Sequence, residues 1–324
     1  MGAIVAGMAT SHAFALLDPV EWDDFRAKNR ESFRSRTGMN PPPHPGIERE
    51  SLADNQSRYA RVRAAHQALR RQLADERPDA IVLIGDDQNE NFISAIPQLA
   101  LFTGNSLRLG GRFAQKPRAY PVHQDLTHAI FRRGIQEGFD ITAIAGFDND
   151  ELKSHAHVQV LEALSEGHDI PVVPVFINAI HHPAIEPHRC YAFGQMIARA
   201  IAERPAGEKV ALCASGGLSH FTAGYPWKDY EGRFTYGGIS EDFDRRAIAL
   251  IERGEGEALA SLTGAELLRH GDIEMRSWIA LLGALGAVAP DLMVYEPFYR
   301  GITGMAVASW RGVPLIKNTQ EVRQ

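Results

Sequence analysis

Residues 209–221 read Lys-Val-Ala-Leu-Cys-Ala-Ser-Gly-Gly-Leu-Ser-His-Phe, an apolar run that stops at two glycines and then presents one histidine. Val210 to Ala214 are small and apolar without alternation, the pattern of a strand covered on both faces. Gly216 and Gly217 break it, because glycine alone accepts positive φ or close backbone approach without steric cost. A turn of this kind after a buried strand is where a doubly covered sheet delivers side chains to a ligand.

Working outward, similar runs recur at 3–9, 79–87, 140–147 and 170–177, with amphipathic stretches at about 124–137, 156–166 and 187–203. The section from about 240 to 288 reads as helical, and 292–310 reads as two closing strands. This alternation predicts an α/β fold: a mixed, largely parallel central sheet with helices on both faces. No Ser/Gly/Pro linker or internal repeat divides residues 1–324, so one domain is expected. Its irregular part is a proline-rich loop or arm at 35–60, containing Pro41, Pro42, Pro43 and Pro45.

Composition narrows the function. A net charge of −6 leaves no basic footprint for nucleic acid. No apolar run approaches the ~18 residues that span a bilayer, and the first residues lack the basic start of a signal peptide. Two cysteines, Cys190 and Cys213, fall in apolar patterns and suggest neither a disulfide framework nor a zinc knuckle. A cytoplasmic enzyme or binding protein is expected.

The strand ends carry the chemistry. Strand one is followed by His12, strand two by Asp86, Asp87, Gln88 and Glu90. The run at 140–147 leads to His155 and His157, the next to His181 and His182, and the stretch quoted first to His220. Histidines and carboxylates gathered after successive strands point to a metal or acid–base site at the carboxyl ends of the sheet.

The segments "SHAF" (11–14), "GDDQNENF" (85–92), "SHAHVQVLEAL" (154–164), "SGGLSHF" (215–221), "GDIEMRSWIALLGAL" (271–285) and "FYRGITGMAVASW" (298–310) resemble the class III extradiol dioxygenases. This is the superfamily of the protocatechuate 4,5-dioxygenase β subunit, and the likeness is nearest to its 3-O-methylgallate dioxygenase branch. The resemblance implies a mononuclear non-haem Fe(II), O₂ as co-substrate, and a small catecholic acid of the protocatechuate, gallate or methylgallate kind. It places His12 and Glu274 as metal ligands, and His155 and His220 as proton-handling catalytic residues. Expected partners are the aromatic substrate, O₂ and a second copy of the chain in a homodimer or higher homo-oligomer.

One ligand departs from that pattern. The superfamily's second ligand histidine follows strand two in an Asp-His pair, whereas this chain has Asp86-Asp87-Gln88 there and no histidine between 66 and 123. Two residues are candidates for the vacant role. Asp87 would give one histidine and two carboxylates, a harder, more anionic set; His44, on the proline-rich loop, would restore two histidines. Arg300 and Thr303, in "YRGITG", are candidates to meet a substrate carboxylate and hydroxyl. Competing readings are a metal-dependent hydrolase, since such a site also suits zinc and an activated water, and a binding protein that kept the fold without the chemistry.

Overall fold

The computed structural model of the chain describes residues 1–110, 116–165 and 169–312. Its strands are β1 (Ala3–Thr10), β2 (Ala80–Gly85), β3 (Leu99–Phe102), β4 (Ser106–Leu109), β5 (Arg118–Pro121), β6 (Ile141–Ile144), β7 (Glu151–Leu152), β8 (Val172–Ile177), β9 (Lys209–Ser215), β10 (Leu292–Phe298) and β11 (Thr303–Arg311). The helices are α1 (Trp22–Thr37), α2 (Leu52–Glu76), α3 (Gln124–Gln136), α4 (His155–Leu164), α5 (Pro187–Ala202), α6 (Glu241–Glu252), α7 (Gly256–Ala260), α8 (Gly264–His270) and α9 (Met275–Leu285). Eight strands form the central sheet in the order β10-β11-β1-β9-β2-β8-β3-β6, and β5-β4-β7 form a small second sheet.

Strands β1, β9, β2 and β8 are mutually parallel and make the middle of the sheet. Antiparallel pairing begins on either side, at β11 and at β3. Because β6 runs parallel to β3, it opposes β8. The run at 140–147 therefore does not aim its carboxyl end at the same edge as the other four. The chain returns there through Glu151–Leu152 before α4 begins.

Two apolar layers follow from the period-two geometry of strands. Val82, Ile84, Leu212 and Ala214 face one way and pack with α3, α5, α6 and α9. Ile81, Leu83, Ala211 and Cys213 face the other way and pack with α1, α2 and α4. Every residue of α9 is buried. It lies so close to α5 that a Cβ on Gly194 would stand 1.7 Å from the Ala280 carbonyl oxygen, and one on Gly283 would stand 2.1 Å from that of Tyr191. Those two glycines let the helix backbones touch.

The proline-rich arm is shorter than expected. Helix α1 continues to Thr37 and is stopped by Gly38 at φ 70°, a left-handed C-cap. Helix α2 starts at Leu52, where Ser51 Oγ accepts the Asp54 N–H at 3.1 Å. Only the residues between, with a short turn at Pro45–Arg49, are loop. The 156–166 helix ends at Leu164, and residue 166 lies outside the described residues. Among the described residues no helix is long and apolar enough to cross a membrane.

Candidate metal centre

Register brings the site together. Thr10 lies abreast of Ser215, and Ala214 abreast of Ile84, so the chain leaves β1, β9 and β2 side by side. The residues that follow are His12, Gly216–Gly217 and Asp86. Glu274 enters from across the sheet edge as the N-cap of α9. Ligand atoms of His12, Asp86 and Glu274 all lie within 4.8 Å of one another, and all three residues are buried. Among the described residues this is the one such His/Cys/Asp/Glu group.

The two glycines have distinct tasks. Gly216 sits at φ 136°, and a Cβ there would come within 2.8 Å of the Glu274 Cβ. Gly217, at φ 63°, turns its N–H onto Glu274 Oε2 at 2.7 Å. The Gly216 carbonyl accepts the Trp278 indole N–H at 2.9 Å, fastening the same turn to α9. The strand thus stops at glycines so that a carboxylate can press against its backbone.

Hydrogen bonding sets the tautomer of His12. Ser215 Oγ donates to the Ala156 carbonyl at 2.6 Å, so toward His12 Nδ1, 3.1 Å away, it acts as acceptor. Nδ1 carries the proton, and Nε2 turns its lone pair to Glu274 Oε2 at 3.7 Å. Burial, reinforced by neighbouring histidines and opposed by Glu274, holds the His12 pKa down to about 3. A neutral imidazole with an inward lone pair is the form that binds a metal.

The carboxylates differ from ordinary buried acids. Glu274 is met by the Gly217 N–H, by the Gln88 side-chain amide and by His220 Nε2 at 3.4 Å. Burial pushes its pKa up, but charged His220 and these hydrogen bonds prevail and hold it below the usual range. Asp86 has no such help: both its oxygens are buried and without a hydrogen-bond partner. Burial, then Glu274, Glu90 and Asp87, raise its pKa well above the ordinary value. Two carboxylates and an imidazole held this close away from solvent are costly unless a cation shares them. The donor set suits a divalent metal.

Two further histidines flank the cluster. His155 opens α4 and donates Nδ1–H to Glu90 Oε1 at 2.6 Å, while its backbone N–H meets Glu90 Oε2 at 3.0 Å. Its ring stands edge-on to that of His12, with centroids 4.6 Å apart. Burial opposes its charge, but Glu90 raises its pKa overall. His220 donates Nδ1–H to the Leu218 carbonyl at 2.7 Å. There too burial is outweighed, by Glu274, and the pKa rises to about 9. His157 faces away, onto the Val175 carbonyl.

The structure does not bring Asp87 or His44 to these atoms. Asp87 accepts backbone N–H bonds from Glu90 (3.2 Å), Asn91 (2.8 Å) and Phe92 (3.1 Å), folding the loop after β2. His44 lies parallel to the Tyr299 ring, centroids 4.4 Å apart, with Nδ1 accepting the Gly46 N–H. Arg300 is also engaged elsewhere: it donates to Asp23 Oδ2 at 3.0 Å and to the Glu50 carbonyl at 3.3 Å. Thr303 begins β11 beside the turn, since the next residue's N–H meets the Ser219 carbonyl at 3.0 Å. Three participants carried no assigned role in the sequence reading: Asp86 in the cluster itself, Glu90 behind His155 and Gln88 behind Glu274. The one signal for them was their place in the acidic run after β2.

The centre defines a class: an α/β protein with a buried imidazole–carboxylate cluster at the ends of its parallel strands. The family described as the catalytic LigB subunit of aromatic ring-opening dioxygenase matches residues 43–307, and the chain belongs to it. It is a ring-cleaving dioxygenase. Three relatives are each named a 2,3-dihydroxyphenylpropionate/2,3-dihydroxicinnamic acid 1,2-dioxygenase. That of Burkholderia vietnamiensis is 26% identical over 285 residues, covering 75% of this chain and 86% of the relative. That of Paraburkholderia phymatum is 28% identical over 276 residues, covering 71% and 84%. That of Mycolicibacterium paratuberculosis is 26% identical over 309 residues, covering 82% and 94%.

Proposed function

We propose that the chain is a non-haem Fe(II) extradiol dioxygenase that opens the ring of a small aromatic acid bearing two adjacent hydroxyls. The observation that carries this reading is the cluster of His12, Asp86 and Glu274 with a proton-bearing histidine on either side. The metal, when bound, lowers the pKa of a catechol hydroxyl and brings it together with O₂. The protein's own groups supply the rest. His155, fixed by Glu90 through Nδ1, presents Nε2 for proton exchange with a substrate hydroxyl. His220, fixed by the Leu218 carbonyl and charged beside Glu274, is a donor for negative charge developing on oxygen. The apolar cluster of Ala179, Ile180, Phe221, Tyr225 and Ile273, built from segments after β8 and β9 and before α9, walls this end of the sheet against water.

The named relatives act on a dihydroxyphenyl acid, and the resemblance above points to protocatechuate- and gallate-type acids. Both share adjacent hydroxyls and a carboxylate. Anaerobic loading with Fe(II), followed by a panel of these acids and O₂, tests the reading. O₂ uptake with a yellow, conjugated ring-opened product is expected; an iron-loaded protein that consumes no O₂ with any vicinal diol would overturn it.

A further inference from the structure

We infer that Asp86 is the third metal ligand, so that one imidazole and two carboxylates hold the cation and the centre selects an oxygen-preferring divalent ion such as Fe²⁺ or Mn²⁺. The inference rests on the cluster being the reaction centre proposed above, and adds what that centre is made of.

Three observations carry it. Asp86 is 1% exposed, and neither of its oxygens meets a donor, while its ligand atom stands within 4.8 Å of those of His12 and Glu274. Among the described residues no Lys or Arg forms an ion pair with Asp86 or Glu274; the charged neighbour of Glu274 is His220, while His12 faces it as a neutral imidazole. The neighbouring carboxylate, Asp87, is by contrast saturated with backbone N–H groups and has a folding role. A buried acid that neither builds the fold nor pairs with a base costs stability unless something absent from the polypeptide compensates it.

The two carboxylates also differ in freedom. Glu274 is positioned by the Gly217 N–H and by the Gln88 amide, so its orientation is set before a cation arrives. The Asp86 carboxylate is tethered by no hydrogen bond, so no group of the protein competes with a cation for its oxygens. Exchanging an imidazole for a carboxylate adds one negative charge and one hard oxygen. It weakens the advantage that nitrogen-preferring ions such as Zn²⁺ and Cu²⁺ hold over Mn²⁺ and Fe²⁺.

The test uses the full chain, stripped with a chelator and titrated with Mn²⁺, Zn²⁺ and, without oxygen, Fe²⁺, followed by calorimetry and Mn²⁺ electron paramagnetic resonance. D86N should lose Mn²⁺ affinity by at least about tenfold. D86H restores a second imidazole; it should bind metal and shift the Zn²⁺-to-Mn²⁺ affinity ratio upward. D87N, if folded by circular dichroism, should bind metal as the wild type does. Wild-type Mn²⁺ affinity in D86N, an unchanged ratio in D86H, or loss of metal in a folded D87N would each overturn the inference. D86H keeps the test decisive if D86N does not fold. Metal binding as described with no O₂ uptake on any catechol would leave the ligand assignment standing and remove the ring-opening reading instead.

Discussion

Two knots of charge hold this molecule, and they are built on opposite terms. At the turn between β10 and β11 every acid has its base or its N–H. Glu50 accepts the backbone N–H groups of Tyr299 (2.9 Å) and Arg300 (2.8 Å), Arg300 reaches Asp23, and Glu296 takes Arg58 at 2.9 Å and Arg61 at 2.5 Å. At the ends of β1, β9 and β2, the Asp86 carboxylate meets no donor, and Glu274 is matched by His220 and two N–H groups rather than by a permanent cation. Both knots look alike in sequence, as clusters of histidine, carboxylate and glycine. Satisfied charge marks a clasp; unsatisfied buried charge marks a receptor for something the chain does not itself provide.

Substitutions that keep the fold but move charge can break that distinction. The largest effect is expected at the receptor: His12→Ala and Glu274→Gln should abolish retention of metal after dialysis, read by elemental analysis on protein of native circular dichroism. Full occupancy in either variant would make the second knot a clasp like the first. Next come the flanking histidines. His155→Gln and His220→Gln should keep the metal yet lower turnover by about 10²–10⁴-fold, and Glu90→Gln, acting through His155, by about 10–100-fold. Metal loss in these variants would show that they belong to the ligand set.

The clasp should behave in the reverse way. Glu50→Ala strands two backbone donors and should cost about 1–3 kcal/mol of stability in denaturant titrations, with metal affinity unchanged. His44→Ala removes a ring stacked on Tyr299 and should cost about 0.5–1.5 kcal/mol, again with no effect on metal. A fall in metal affinity in the His44 variant would join the two knots into one site and end the comparison.

The sheet and most of its helices were legible because periodicity reports burial, and burial on both faces of β9 and β2 leaves continuous apolar runs. Strand direction was less so. β6 has the same short apolar pattern as its neighbours, and only its pairing with β3 turns it against β8. At the centre, motif and position identified His12, His155, His220 and Glu274 as the residues to follow. Which of Asp86 and Asp87 faces inward was not readable. Adjacent carboxylates in a turn differ only in which backbone N–H groups they meet, and that depends on the path of the chain through residues 88–92. Nor does "YRGITG" reveal that Arg300 is held by Asp23, a residue some 277 positions away.

The contact between α5 and α9 has a consequence for how such a centre can change. With Gly194 and Gly283 letting the backbones touch, α9 lies hard against α5, and Glu274 at its N-cap is anchored like a datum point. Any side chain at either glycine would lever α9 away and misplace that carboxylate without touching the site. On the other side the backbone is also held, since the Asp86 carbonyl accepts the Ser154 hydroxyl at 2.7 Å, but the Asp86 carboxylate meets no donor. A lineage, or a designer, wishing to retune this protein for another cation therefore has one coordinate to vary, and it lies on the β2 side of the sheet. The helix side is the fixed jaw of a vice, and the one part left unclamped opposite it is the Asp86 side chain.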